Sequence, residues 1–108
     1  MRRGDLVTIT LQGDFGKPRP ALVVQSDLFN ADHATVSVLP ITSTIIGTPV
    51  FRITLEPSAA NGLRKVSQIM VDKIVSVKRE KVGEMFGRLD DETLLRVNRA
   101  LAVWLGVA

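Results

Sequence analysis

The stretch "GDFGKPRPALVVQSD", Gly13 to Asp27, holds a glycine-rich loop, an arginine set between two prolines, and an apolar run that follows at once. Pro18 fixes its own φ and carries no amide hydrogen. Pro20 pushes Arg19 out of the helical region into an extended backbone. Ala21 to Gln25 is short and nearly continuously apolar, the pattern of a strand buried on both faces. Upstream, Leu6 to Leu11 alternates, with Val7, Ile9 and Leu11 on one face and Thr8 and Thr10 on the other, a half-buried strand. The loop Gln12 to Lys17 therefore joins two strands.

The same punctuation continues downstream. Asn30-Ala31-Asp32-His33 reads as a turn. Thr35 to Ile41 is rich in β-branched residues, and Pro40 removes one ladder donor, so an edge or a bulge is expected there. Phe51 to Leu55 alternates and Glu56 to Gly62 breaks it. Val66 to Val77 predicts a long or bent strand pair with Ile69, Val71, Val75 and Val77 on one face, interrupted by Lys73. A short helical stretch is expected over Lys78 to Phe86, weakened by Gly83. The clearest helix is C-terminal. Asp90 caps it, Asp91 and Glu92 suit the positive end of its dipole, Leu94, Val97, Leu101 and Trp104 form its apolar stripe, and it stops near Gly106. Short strands followed by one helix give a mainly β (α+β) expectation: a small, strongly bent antiparallel barrel with a helix packed on it.

The 108 residues suffice for one domain, 1–108, with one core. The chain has no cysteine, which excludes a disulfide framework and a thiolate metal site. No apolar run is long enough to span a bilayer, and no signal-peptide apolar region follows Met1-Arg2-Arg3. A cytoplasmic protein is expected. The net charge of +3 and the isoelectric point near 9.8 favour anionic partners, nucleic acid or an acidic protein. Aromatic residues are few, which argues against the broad stacking surfaces of many single-strand binders.

Several side chains are candidates for chemistry, each with a plainer alternative. Arg19 presents a permanently charged, planar fork of donors that matches phosphate, or it pairs with a nearby carboxylate at a strand start. The loop Gly13-Asp14-Phe15-Gly16-Lys17 folds over a phosphate backbone with Phe15 meeting a base, or is merely a hairpin turn. It is not a Walker loop. Thr42 and Ser43 follow the Pro40 break, where a bulge would re-aim them as phosphate donors, though threonine is also an ordinary strand residue. Asp72 is an acid in an apolar stretch and needs a partner. It pairs with Arg19 and orients the guanidinium, or it serves as a general base. His33 is the only histidine and lies in a polar turn, which excludes a histidine-pair nuclease and a Ser-His-Asp triad. No cluster of His, Asp and Glu has metal-ligand spacing, so no cofactor is expected.

Arg3-Gly4-Asp5 before a strand, the glycine loop, Arg19-Pro20-Ala21-Leu22-Val23-Val24, Pro40-Ile41-Thr42-Ser43, Ser67, Asp72 to Val77 and Gly87 to Glu92 together resemble the MazF/PemK/Kid toxins over essentially the whole chain, in order. The resemblance implies an SH3-like antiparallel β-barrel with a C-terminal helix. It implies a homodimeric, ribosome-independent, sequence-specific endoribonuclease toxin that is inhibited by a cognate antitoxin and binds DNA as the antitoxin complex. Cleavage of single-stranded RNA would need no metal, because the RNA 2′-hydroxyl attacks the adjacent phosphate. Residue by residue, Arg19 matches the arginine that stabilises the phosphorane, Thr42 the threonine that holds the phosphate, and Asp72 an acidic position used as base or orienting group. Asp14 stands where many members have a loop glutamate. With Phe15, Lys17, Ser43 and Lys73, it makes the expected RNA-binding set. Lys73 replaces a common glutamine and Val75 a common arginine, the loop before Arg19 is shorter than usual, and a loop histidine of some members is missing. The same fold also serves gyrase poisons of the CcdB type, which end in a helix bearing a tryptophan and a glycine, as Trp104 and Gly106 do here. A non-catalytic nucleic-acid-binding barrel is the third reading.

Overall fold

Among the described residues, seven strands and one α-helix follow one another as β1 (Asp5–Thr10), β2 (Pro18–Val23), β3 (Thr35–Thr42), β4 (Arg52–Leu55), β5 (Ser67–Met70), β6 (Val75–Lys78), β7 (Val82–Arg88) and α1 (Asp91–Leu105). The computed structural model describes residues 1–47 and 50–107. The strands form one antiparallel sheet with neighbours in the order β4-β5-β3-β2-β1-β7, and β6 adds to β3. The antiparallel strands and terminal helix expected from the sequence are therefore present.

β3 organises this sheet. One edge pairs with β2, from Ala21↔Pro40 to Val23↔Val38. Its N-terminal half also pairs with β6, from Thr35↔Lys78 to Val38↔Val75, and its last two residues pair with β5, Ile41↔Ile69 and Thr42↔Gln68. Between β6 and β5 the register slips by three residues, the length of the 3₁₀ turn Val71–Lys73. The stretch Val66 to Val77 is thus a bent pair, as expected, but its apolar residues do not share a face. An odd slip exchanges the two faces of a strand. Ile69 and Val71 join one core with Leu6, Leu22 and Leu39, whereas Val75 and Val77 join another with Val7, Ile9, Val23 and Val36.

The two cores lie on opposite faces of the sheet. The first is closed by α1 through Val97 and Leu101, which are buried beside Leu89. The second is lined, among the described residues, by β1, β2, β3, β6 and β7 and by Leu11 of the hairpin loop, with no helix over it, yet Val7, Ile9, Ala21, Val36 and Val38 are almost fully buried. The sheet must curl over them, and the 3₁₀ turn Arg79–Lys81 draws the two ends, β6 and β7, together. Among the described residues no ladder joins β6 to β7, so the barrel stays open along that seam. The helix expected over Lys78 to Phe86 is instead this turn followed by β7. Its residues meet what lies beside them: Gly83 sits close against Thr8 of β1, Gly87 lies against the loop backbone of Asn61 with no room for a Cβ, and Arg88 pairs with Asp5 of β1 at 2.6 Å.

The terminal helix begins and ends as its residues require. The Asp90 carboxylate accepts from the Thr93 N–H at 3.0 Å, and Gly106 adopts the left-handed conformation, φ 74°, that lets its N–H reach the carbonyls of the last turn. Hydrogen bonding from Thr93, side chain first and backbone second, holds the Asp90 carboxyl below the usual aspartate range.

Asp90→Ala should therefore cost about 1 kcal/mol of unfolding free energy. A group with a lowered folded pKa stabilises fully above its unfolded value and loses that contribution as pH falls through the folded one. The gap between parent and variant, read from denaturant midpoints, should be constant at neutral pH and should narrow below about pH 4.

Candidate active site

The site begins at the hairpin between β1 and β2, which the pair Thr10↔Pro18 closes. Within the loop, the Asp14 N–H donates to the Leu11 carbonyl at 3.1 Å and the Lys17 N–H to the Asp14 carbonyl at 2.9 Å, so two turns overlap. Gly13 and Gly16 take left-handed backbone, and so does Phe15, at φ 54°. For an aromatic residue that conformation costs on the order of 1–2 kcal/mol. The same residue leaves its ring fully in solvent. A strained backbone that holds an exposed aromatic ring outward is a feature that packing does not account for.

Arg19 opens β2, exposed, with its Nε 3.4 Å from the Asp14 Oδ2. The two prolines fix the backbone and the loop carboxylate holds the side chain. The sequence alternative in which Arg19 pairs with Asp72 is not realised. Asp72 and Lys73 lie in the 3₁₀ turn Val71–Lys73, which carries both side chains into solvent, and the demand for a partner disappears with the burial. Among the described residues Asp72 makes no ion pair. With Lys73 it lines a small cavity of about 280 Å³ shared with Ile46, Val50, Phe51 and Arg52.

Thr42 is the last residue of β3 and is half-buried. Its Oγ1 accepts from the Thr44 N–H at 3.1 Å. A hydroxyl that accepts there keeps its own proton free to donate. The β2–β3 ladder ends at Ala21↔Pro40, where prolines 20 and 40 withhold their donors. Continued two residues further, the register sets Arg19 opposite Thr42, both on the face of the curled core. Ser43 follows, exposed, at the start of the next loop.

A larger groove of about 910 Å³ runs on the other side of the hairpin loop. Phe15 and Gly16 form one wall, Leu11, Val75 and Val77 the floor, and Lys78 and Lys81 the rim. These two lysines were hidden in the sequence inside the charged run Lys78 to Lys81, whose helical expectation gave no reason to aim them at the loop. Asp14, Phe15 and Arg19 thus stand together at the hairpin, and Lys17 shares their loop. Thr42 and Ser43 stand across β2, and Asp72 and Lys73 in a separate turn beyond the β3–β4 loop. His33 is an exposed turn residue whose carbonyl accepts from Arg79 Nε at 2.8 Å. Trp104 is half exposed with its ring edge on Phe51, centroids 5.2 Å apart. Ala108, the last residue of that tail, lies outside the described residues. Among the described residues no group of three or more His, Cys, Asp or Glu is placed to hold a metal ion.

Residues 2–105 match the family described as PemK-like, MazF-like toxin of type II toxin-antitoxin system. A "Probable endoribonuclease MazF" from Mycolicibacterium smegmatis is 44% identical over 100% of this chain and 99% of its own length. An "Endoribonuclease MazF" from Staphylococcus saprophyticus is 31% identical over 99% of this chain and 92% of its own. Among solved structures, MazF in a MazE-MazF crystal from Deinococcus radiodurans superposes with a TM-score of 0.80 at 27% identity, covering 100% of this chain and 97% of that one. An endoribonuclease solved with its cognate antitoxin from a mycobacterial species shares the fold at a TM-score of 0.83 and 24% identity, covering 100% and 97%.

The Arg19–Asp14 pair is exposed, and such pairs contribute little to stability. Asp14→Ala should shift the unfolding free energy by less than about 0.5 kcal/mol, measured by denaturant titration. A larger loss would mean that the pair holds the hairpin together rather than aiming a side chain.

Proposed function

The chain belongs to the PemK-like, MazF-like toxins of type II toxin-antitoxin systems, and from that premise we propose that it is a sequence-specific, ribosome-independent endoribonuclease acting on single-stranded RNA. The reading rests on a preset guanidinium, Arg19, and a hydroxyl, Thr42, whose proton is free, which the β2–β3 register, continued past its last pair, sets on one face of adjoining strands. The reaction is a transphosphorylation. The RNA 2′-oxygen attacks the adjacent phosphorus and the 5′-oxygen leaves, giving a 2′,3′-cyclic phosphate and a 5′-hydroxyl. The nucleophile belongs to the substrate, so no protein nucleophile is required. What the protein must supply is charge and donors aimed at the phosphorane oxygens, which is the largest catalytic contribution in many enzymes. Arg19 meets the developing charge and Thr42 donates to a phosphate oxygen. Asp72 is the acidic group available as base or as orienting group for the 2′-hydroxyl.

The RNA lies along the hairpin. Phe15 stacks on a base, Lys17, Lys73 and Ser43 meet phosphates, and Asp14 releases Arg19 to the substrate as the phosphate displaces it. Lys78 and Lys81 extend the positive track along the groove. Two relatives solved with antitoxins support an inhibitory partner. The basic surface suits an acidic, partly disordered antitoxin segment that folds over the groove around Arg19. We place the chain in the cytoplasm as a single domain working as a homodimer and binding DNA as the antitoxin complex. The gyrase-poison reading is not carried forward. The relatives that match over nearly the whole chain are named endoribonucleases, and the Trp104 ring is engaged with Phe51.

Single-turnover cleavage of a long RNA tests this. Activity should persist in excess chelator. Arg19→Ala should lose at least about 10²–10³ in rate while remaining folded. Arg19→Lys should not restore it, because a point charge lacks the planar fork. Thr42→Val should lose less. An Arg19→Ala protein that cuts at the parent rate would place the chemistry elsewhere.

A further inference from the structure

Gln68 is the most deeply buried polar side chain of the sheet, 1% exposed, in the middle of β5. Ile69 beside it points into the core under α1, so the carboxamide lies on the opposite face. It stands in a row across three strands, with Thr42 as its partner on β3 and Thr54 as its partner on β4. The residues after Thr42 cover it. Its amide is saturated. Oε1 accepts from the Ile46 N–H at 3.1 Å and from Arg52 Nη1 at 3.4 Å, and Nε2 donates to the Ile46 carbonyl and to Thr54 Oγ1, both at 3.2 Å. An amide offers two donors and two acceptor sites, and all four are used. Toward Ile46 the side chain does what a neighbouring strand would do, binding the N–H and the carbonyl of one residue together. Arg52 Nη1 adds a bond of 3.3 Å to the Thr44 carbonyl.

This clasp has a consequence for Thr42. The Thr44 N–H is the donor on Thr42 Oγ1. Ile46 is gripped by Gln68 and the Thr44 carbonyl by Arg52, so the backbone that follows the Ser43–Thr44 peptide is anchored, and this restricts how the Thr44 N–H can turn. We propose that Gln68 is a positioning residue of the ribonuclease reaction: its buried amide fixes the backbone after Thr42 and so sets the direction in which the Thr42 hydroxyl donates to phosphate. This rests on the role given to Thr42 above. A fully satisfied buried amide rigidifies what it touches, and a misplacement of about 1 Å at a reacting group can cost on the order of 10²-fold in rate. The sequence signal is slight, one polar residue between Ser67 and Ile69 in a run otherwise read as apolar.

The test is Gln68→Leu, which keeps the volume and removes the amide, made in the parent and in Thr42→Val. At saturating RNA the single variant should cleave about 10-fold to 10²-fold more slowly, with the larger effect on kcat than on KM. Added to Thr42→Val, it should cost less than about twofold more, because its route to the chemistry is already gone. Gln68→Glu keeps the acceptor for the Ile46 N–H and loses the donors, so its rate should fall between parent and Gln68→Leu. If Gln68→Leu does not fold, Arg52→Met in the same two backgrounds releases the clasp from its outer side and should show the same lack of additivity. Parent-like cleavage by Gln68→Leu, or losses that multiply with Thr42→Val, would overturn the proposal. Amide exchange separates the two ideas. An Ile46 amide that is protected in a parent chain unable to cut RNA would contradict the ribonuclease reading. A parent that cuts RNA while Ile46 exchanges freely would contradict the clasp.

Discussion

β3 is shared between two pairings, and Pro40 stands where it passes from one to the other. Its first half is held by β6, Val38 to Pro40 by β2, and the two ladders overlap at Val38. Beyond Pro40 it pairs with β5, and the β2 ladder has ended. A proline cannot donate to the ladder, and here Pro40 lies across from the Pro20 region, so the backbone loses its bonds where the chemistry is proposed to be. The three-residue turn between β5 and β6 absorbs the same change on the other edge. The two apolar cores follow from it, because the odd slip sends Ile69 and Val71 under the helix and Val75 and Val77 into the curl. Beyond the last β2–β3 pair, Arg19 stays paired to Ile9 on β1 and Thr42 to Gln68 on β5, two strand stubs whose continued register sets Arg19 opposite Thr42.

The stubs carry their groups in different ways. Arg19 is fixed by covalent geometry, with proline on either side, and by a weak ion pair that a phosphate can displace. Its positioning costs the fold little. Thr42 is fixed through the loop that follows it, by hydrogen bonds that lead to a buried amide. Strain appears between them, at Phe15, where the hairpin loop holds an aromatic ring in water. Packing does not explain these choices, since none of the three side chains belongs to either core.

Much of this was legible in the residues. The alternation of Leu6 to Leu11 and Phe51 to Leu55, the apolar run after Arg19, and the caps at Asp90 and Gly106 each state a local rule that the structure obeys. The faces of Val66 to Val77 were not legible, because a 3₁₀ turn changes parity without changing hydrophobicity. The helix expected at Lys78 to Phe86 failed because Gly83 lies close against Thr8 of β1 as part of a strand and because the charged run there is a turn. Arg19 was visible as a rigid cation, whereas its partner was not: the sequence offered an unspecified nearby carboxylate or Asp72, and the fold makes it Asp14 by exposing Asp72 in a turn of its own. Gln68, Lys78 and Lys81 were invisible as site residues, since their placement depends on pairings far apart in the chain.

The central claim is that the substrate supplies its own nucleophile to a site of preset charge. The most direct measurement compares a cleavable RNA with the same RNA carrying a single 2′-deoxy sugar at the cleaved position, with the product ends identified. The account predicts that the deoxy strand binds and is not cut, and that the all-ribose strand ends in a 2′,3′-cyclic phosphate and a 5′-hydroxyl. Cutting of the deoxy strand, or a 5′-phosphate on the product, would contradict it.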